Sequence, residues 1–253
     1  MKTTEPTVAI VQARMTSTRL PGKVLLPLAG RTMLLRVIDR IAAVPGINQI
    51  VVALPDGEDQ SPILDAIRDV PNVTHFQGSE KDVLKRTADA ARSIGAGTVV
   101  RITSDCPFID PDVSGALLAA WKLGGFDYGR LPITRGFPLG FDTEVLSAAL
   151  LYRIADIASD PYDREHVTPY IWKRPEEFRT LYMDQLPDLR HWRLVVDTPD
   201  DYRLAEEVYN RLGARSEDFR LRELIELFSA DPALLDLNAD SVQTRYENAP
   251  EGA

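Results

Sequence analysis

The sequence predicts an α/β protein with a mostly parallel central sheet and helices on both faces. Three observations carry this. Short, continuously apolar runs alternate with amphipathic segments through the first half of the chain. Cap and turn residues punctuate the boundaries between them. Of 253 residues, 44% are hydrophobic and 26% charged, enough for an extensive core and too apolar for a disordered chain.

Thr7 to Ala13 reads as the first buried strand, because Val8, Ala9, Ile10 and Val11 leave no polar face. After a Gly- and Pro-containing loop, Leu34, Leu35, Ile38, Ile41 and Ala42 recur at helical spacing over about 32–44, and Pro45-Gly46 ends that helix. Ile50 to Leu54 is a second buried strand, and Ser61-Pro62 reads as an N-cap with proline in the first turn. Val73 to Phe76 is a short strand. Ser79-Glu80-Lys81-Asp82 matches a capping-box start for a helix bearing Val83, Leu84, Thr87, Ala91 and Ile94, closed by Gly95. Thr98 to Thr103 is the fourth strand, and Asp110-Pro111 caps the next helix, which runs to Gly124-Gly125. The pattern then loosens. Strands are expected at 142–146, 180–185 and 193–196, and helices at 147–158, 161–172 and 199–212. An amphipathic stretch through Leu221, Leu224, Ile225, Leu227 and Phe228 packs outside, and residues 239–253 read as a mobile tail. Together 1–238 form one domain.

Composition narrows the function. Lys and Arg total 29 against 38 Asp and Glu, a net charge of −9, which argues against nucleic acid as a partner. A phosphorylated small molecule needs only a local basic pocket. Cys106, the single cysteine, rules out an internal disulfide framework and any multi-cysteine zinc site, and His75, His166 and His191 show no ligand spacing. No stretch approaches the ~18 apolar residues of a membrane span. The N-terminal residues lack a signal-peptide core, so the expected compartment is a reducing cytoplasm.

In an open α/β sheet ligands bind beyond the carboxyl ends of the strands, where strand order reverses. The loop after the first strand, Ala13 to Lys23, places Arg14, Arg19 and Lys23 among three hydroxyl residues and a Pro-Gly turn. Backbone N–H groups there can form an anion nest, with the cations neutralising a polyphosphate. The glycine spacings of a dinucleotide fingerprint or a P-loop are absent; a solvated basic loop is the plainer alternative. The fourth strand ends in Ser104-Asp105-Cys106-Pro107, so Asp105 either holds a hard cation such as magnesium or begins a turn. Asp197 ends Leu194-Val195-Val196 and is either a second metal carboxylate or, with Thr198, a helix cap. Two such carboxylates would repel each other in an empty site, a cost that a cation relieves. Lys23, as a loop residue, is expected to contribute little to stability. His166, beside Glu165, orients a substrate or carries a proton, or is a hydrogen-bonded structural group, and Asp142 faces a sugar or caps a turn. Cys106 reads as a small buried hydrophobe.

The run from Ile10 to Leu25 resembles the opening of the cytidylyltransferase family, which includes acylneuraminate and 3-deoxy-manno-octulosonate cytidylyltransferases, and most of all its spore-coat polysaccharide (SpsF-like) branch. Residues 101–110, 142–145, 165–170 and 196–201 resemble later motifs in the same order, so the likeness spans about 7–212. The resemblance implies a GT-A-like nucleotidyltransferase fold, CTP as donor, magnesium as cofactor and a small acidic acceptor. It implies Ala13, Arg14, Ser17, Arg19, Gly22, Lys23 and Asp105 at the nucleotide, with Lys23, Arg14 and Asp105 acting in catalysis. Asp105 and Asp197 would hold metal, and Asp142, Glu165 and His166 would face the acceptor. Residues 1–125 would then serve the nucleotide, and 126–238 the acceptor and dimerisation. Phe126, Tyr128, Phe137, Phe141, Trp172 and Phe178 are candidates for a homodimer surface, although the dimerisation insertion of acylneuraminate enzymes is abbreviated between Gly129 and Pro138. The neighbouring alternatives are a GT-A glycosyltransferase using a nucleotide sugar, which would commonly show an Asp-x-Asp motif where Ser104-Asp105-Cys106 stands, and a non-catalytic nucleotide-binding protein.

Overall fold

A computed structural model of the chain describes residues 5–57 and 59–241. The elements follow in chain order: β1 (Thr7–Gln12), a 3-10 turn (Lys23–Leu25), β2 (Pro27–Leu28), β3 (Arg31–Thr32), α1 (Met33–Ala42), β4 (Gln49–Pro55), α2 (Ser61–Ile67), β5 (Val73–Gly78), α3 (Val83–Ser93), β6 (Thr98–Thr103) and α4 (Pro111–Lys122). The second half adds β7 (Tyr128–Arg130), β8 (Glu144–Ser147), α5 (Ala148–Ile157), α6 (Pro161–His166), α7 (Pro169–Trp172), β9 (Thr180–Tyr182), α8 (Pro199–Leu212) and α9 (Leu221–Ala230), with 3-10 turns between them.

One seven-stranded sheet runs in the order β5-β4-β1-β6-β8-β7-β9. Every pairing is parallel except the two made by β8. From β1 the chain builds outward through β4 and β5, then returns to β1's other side as β6. The strand order therefore reverses between β1 and β6, and their carboxyl ends open one crevice. Alternate residues of each strand feed two cores. Ala9, Val11, Val52, Val100 and Ile102 meet α1, α2, α4, α8 and α9 on one face. Val8, Ile10, Val51, Val99 and Leu146 meet α3, α5 and α7 on the other.

The departures from the sequence reading are local. The predicted strand at 193–196 forms no ladder, only a single parallel bridge of Arg193 with Leu139. Leu194 N–H donates to Leu139 O (2.8 Å) and Val196 N–H to Asp105 O (2.8 Å), so the segment is laced to two loops instead. The predicted helix 161–172 is two short helices, because Pro169 has no N–H to continue the first. The β2–β3 hairpin and β7, each of two or three residues, are too short to show a period. Of the candidate dimer-surface residues, Tyr128, Phe137, Phe141 and Phe178 lie in this chain's own core; only Phe126 is exposed, and Trp172 is intermediate. Of the predicted tail, Ala239 to Ser241 are described, and Ser241 Oγ lies 2.9 Å from Thr198 Oγ1; 242–253 lie outside the described residues. No helix among the described residues is long and apolar enough to cross a membrane.

Candidate active site

The loop after β1 is folded back on itself. Gly22 N–H donates to Met15 O (3.0 Å) and Lys23 N–H to Leu20 O (3.2 Å). Gly22 has φ of 67°, the left-handed region that favours glycine, and leads directly into the 3-10 turn at Lys23. Ser17 Oγ accepts from Leu20 N–H (3.3 Å), which holds the loop's outer bend. Ala13 is buried, whereas Arg14 is exposed.

This turn aims Lys23 inward, between the two aspartates at the sheet end. Its Nζ lies 3.0 Å from Asp105 Oδ2 and 2.7 Å from Asp197 Oδ1, and donates to Val196 O (2.9 Å). Arg19 reaches Asp197 Oδ2 at 2.9 Å, and Arg193 stands 3.7 Å from the same oxygen. Thr103 Oγ1 donates to the other Asp105 oxygen at 2.6 Å. Burial alone would lower the Lys23 pKa, but Asp105 and Asp197 more than reverse this and hold it above the ordinary lysine value. Burial would likewise raise Asp105, and Lys23 with Thr103 holds it below the ordinary carboxylate value. The carboxylate repulsion expected of an empty site is thus already relieved, by an ammonium. The Cys106 thiol is pushed well up by burial and by Asp105, in keeping with an inert buried residue.

Asp197 is not the helix cap. Thr198 caps α8, its hydroxyl accepting from Asp201 N–H (3.2 Å) while Asp201 Oδ2 accepts from Thr198 N–H (2.9 Å). Asp201 is gripped by Arg193 at 2.8 and 2.9 Å. The cap thereby leaves the Asp197 carboxyl free to face Lys23.

The acceptor-side candidates separate. Asp142 Oδ2 accepts from Gly140 N–H (3.3 Å); burial raises its pKa, with Arg130 opposing. His166 packs against Tyr162, ring centres 4.4 Å apart, and burial lowers its pKa, with Arg101 and Lys173 adding to the effect and Glu165 opposing it. Glu165 is exposed. Sequence reasoning missed a buried network beneath them. Arg101 pairs with Glu144 and donates to Gln12 Oε1 (2.9 Å); Glu144 also accepts from the Tyr128 hydroxyl and from Thr168 Oγ1 (2.5 Å). The signal was present: charged residues inside otherwise apolar strands require partners.

Among the described residues no group of three or more His, Cys, Asp or Glu is gathered for a metal ion. The donor set that fits one is the pair Asp105 and Asp197, whose hard oxygens converge on a point now filled by a cation, Lys23 Nζ.

Residues 8–226 match the sequence profile of the family described as Cytidylyltransferase. The spore coat polysaccharide biosynthesis protein SpsF of Bacillus subtilis is 34% identical over 231 residues, 88% of this chain and 94% of that protein. A cytidylyltransferase structure from Leptospira borgpetersenii serovar Hardjo-bovis is similar with a TM-score of 0.86 at 28% identity, over 96% of this chain and 100% of that one. A CMP:2-keto-3-deoxy-manno-octonic acid synthetase solved with CTP shares the fold, with a TM-score of 0.63 at 17% identity over 81% of this chain and 99% of that one. A parallel sheet with its basic loop and aspartates at the strand-order reversal, and a family match across most of its length, have one reading: the chain belongs to the cytidylyltransferase family and is a nucleotidyltransferase.

Proposed function

We propose that the protein transfers CMP from CTP to a small acidic acceptor, a sugar acid or a related phosphate or phosphonate compound, with release of pyrophosphate. The product would serve synthesis of a surface polysaccharide or glycoconjugate, as the name of the SpsF relative suggests. The observation that carries this reading is the Lys23–Asp105–Asp197 cluster, flanked by Arg19, in the crevice between β1 and β6.

An acceptor oxygen attacks the α-phosphorus in line and pyrophosphate leaves. Such transfers are catalysed mainly by alignment and charge neutralisation. Arg14, Arg19 and Lys23 offset phosphate charge, and Ala13, Ser17 and Gly22 line the loop that receives it. Asp105 and Asp197 would hold magnesium, which when bound supplies neutralisation at the phosphate oxygens. Residues 126–238 would contribute the acceptor side, including Asp142, Glu165 and His166, and the contacts of a homodimer. The acidic, single-cysteine composition suits a reducing cytoplasm.

Calorimetry should show CTP with magnesium binding at least about tenfold more tightly than CMP, roughly 1.4 kcal/mol. Equal affinities would remove the phosphate-cradle reading. Pyrophosphate release with CTP, magnesium and a panel of sugar acids tests the transfer itself.

A further inference from the structure

The segment that brings Asp197 to Lys23 has one bridge and no ladder, so side chains must fix its place. Three of them close a ring around it. The Arg193 guanidinium grips Asp201 at 2.8 and 2.9 Å and stands 3.7 Å from Asp197 Oδ2. Asp201 Oδ2 accepts from the N–H groups of Asp197 (3.1 Å) and Thr198 (2.9 Å). Asn238, 37 positions beyond Asp201, completes the ring. Its Nδ2 donates to Arg193 O (2.9 Å) and to Asp201 Oδ1 (2.9 Å). One amide thus joins both ends of the 193–201 span, with Asp197 between them. Both partners are acceptors, which fixes the orientation of the amide.

Asn238 ends a 3-10 turn (Pro232–Asn238) beyond the residues matched by the family profile. It is only 4% exposed, in a turn whose Leu234, Leu235 and Leu237 pack on the core. An amide in such a place loses its water, and the two bonds offset that cost. We propose that Asn238 is a positioning residue: by holding Arg193 O and Asp201 together it keeps the Asp197 carboxylate facing Asp105 across Lys23, and so sets the affinity of the pair for a divalent cation. This rests on the transfer reading above, in which the two carboxylates hold magnesium. Removing a group that orients a metal-binding side chain typically costs roughly 10- to 100-fold in metal affinity.

Manganese, which shares the preference of magnesium for oxygen and is paramagnetic, reads this without turnover. Full-length protein in excess over CTP is titrated with Mn2+, following the relaxation enhancement of water protons, which rises when the ion tumbles with the protein. Asn238→Leu keeps the side-chain volume and removes both donors, and Asn238→Ala removes the volume as well. Each should raise the half-saturating Mn2+ concentration about 10- to 100-fold, with CTP affinity in EDTA unchanged. Leu151→Ala, in the core on the opposite face of the sheet, should lower the melting temperature and leave half-saturation where it is. Hydrogen exchange of the metal-free Asn238 variants should quicken over 193–201 and not over β1 or β6. Thermal melts confirm that the variants fold. Unchanged half-saturation in both Asn238 variants, an equal rise in Leu151→Ala, or unchanged exchange over 193–201 overturns the positioning role alone. No enhancement in wild type with CTP, or half-saturation unmoved by Asp197→Asn, instead overturns the reading of the site on which the proposal rests.

Discussion

At the scale of single residues, Lys23 carries the most consequence, because the same ammonium neutralises two carboxylates and is a candidate phosphate ligand. Its side chain is only 12% exposed, and those of Asp105 and Asp197 are 23% and 17% exposed. The sequence-based expectation that its loss costs little stability therefore does not hold. Lys23→Ala would leave two facing carboxylates, and about 2–3 kcal/mol of destabilisation is expected, somewhat less than for a fully buried pair. Magnesium should restore part of this by occupying the point between the aspartates, raising the melting temperature of the variant more than that of wild type. Thermal melts with and without the ion check this, and equal shifts would remove the two-aspartate metal site. Turnover should fall by orders of magnitude. The pH dependence has a definite sign. Asp105, depressed below 3.8, contributes stability above that value and loses it as pH falls through its folded value, while Lys23, raised above 10.5, contributes below that value and loses it as pH rises through its folded value. The stability gap between wild type and Asp105→Asn should be flat across neutral pH and close below about pH 4 in denaturant titrations.

At the scale of elements, the segment carrying Asp197 is positioned by loops and a cap rather than by a ladder. Gly140 has φ of 102°, and an added Cβ would lie 2.6 Å from Leu194 C and 2.7 Å from Val195 N, both backbone atoms. Gly140→Ala must separate the 138–142 loop from the Asp197 segment. A cost of about 3 kcal/mol is expected from the left-handed backbone and the overlap together, with a fall in turnover because Asp197 shifts. Thr198→Ala tests the opposite case. It removes the α8 cap and should cost about 1 kcal/mol while leaving the rate within a few-fold, because Arg193 still holds Asp201. Denaturant melts beside initial rates separate the two outcomes; a large rate loss in Thr198→Ala would show that the cap, and not only Asp197, serves the chemistry.

At the scale of the whole molecule, assembly is the open quantity that composition cannot supply. Most of the aromatic residues suggested as an interface are in the core, so a homodimer would have to use Phe126 together with other exposed apolar side chains, such as Leu123, Ile157 and Leu186. A two-fold pair is the commonest oligomer, and light scattering at micromolar concentration should return about twice the 28.2 kDa of one chain. A mass of one chain would remove the dimer from the proposal.

The sequence by itself determined the fold class, the succession of the long strands and helices of the first half, and the residues of the central cluster. Buried parallel strands advertise themselves by continuous apolar runs, and the Arg14–Lys23 and Asp105 segments stand at their ends. Only the tertiary structure decided how those residues meet. Lys23 and Asp197 are 174 positions apart, and their contact depends on a glycine-turned loop and a capped helix start, neither of which has a period to read. The Arg101–Glu144–Tyr128–Thr168 network joins four separate segments. Which partners a buried charge finds is set by register and side-chain geometry across strands. That information exists only once the strands are paired.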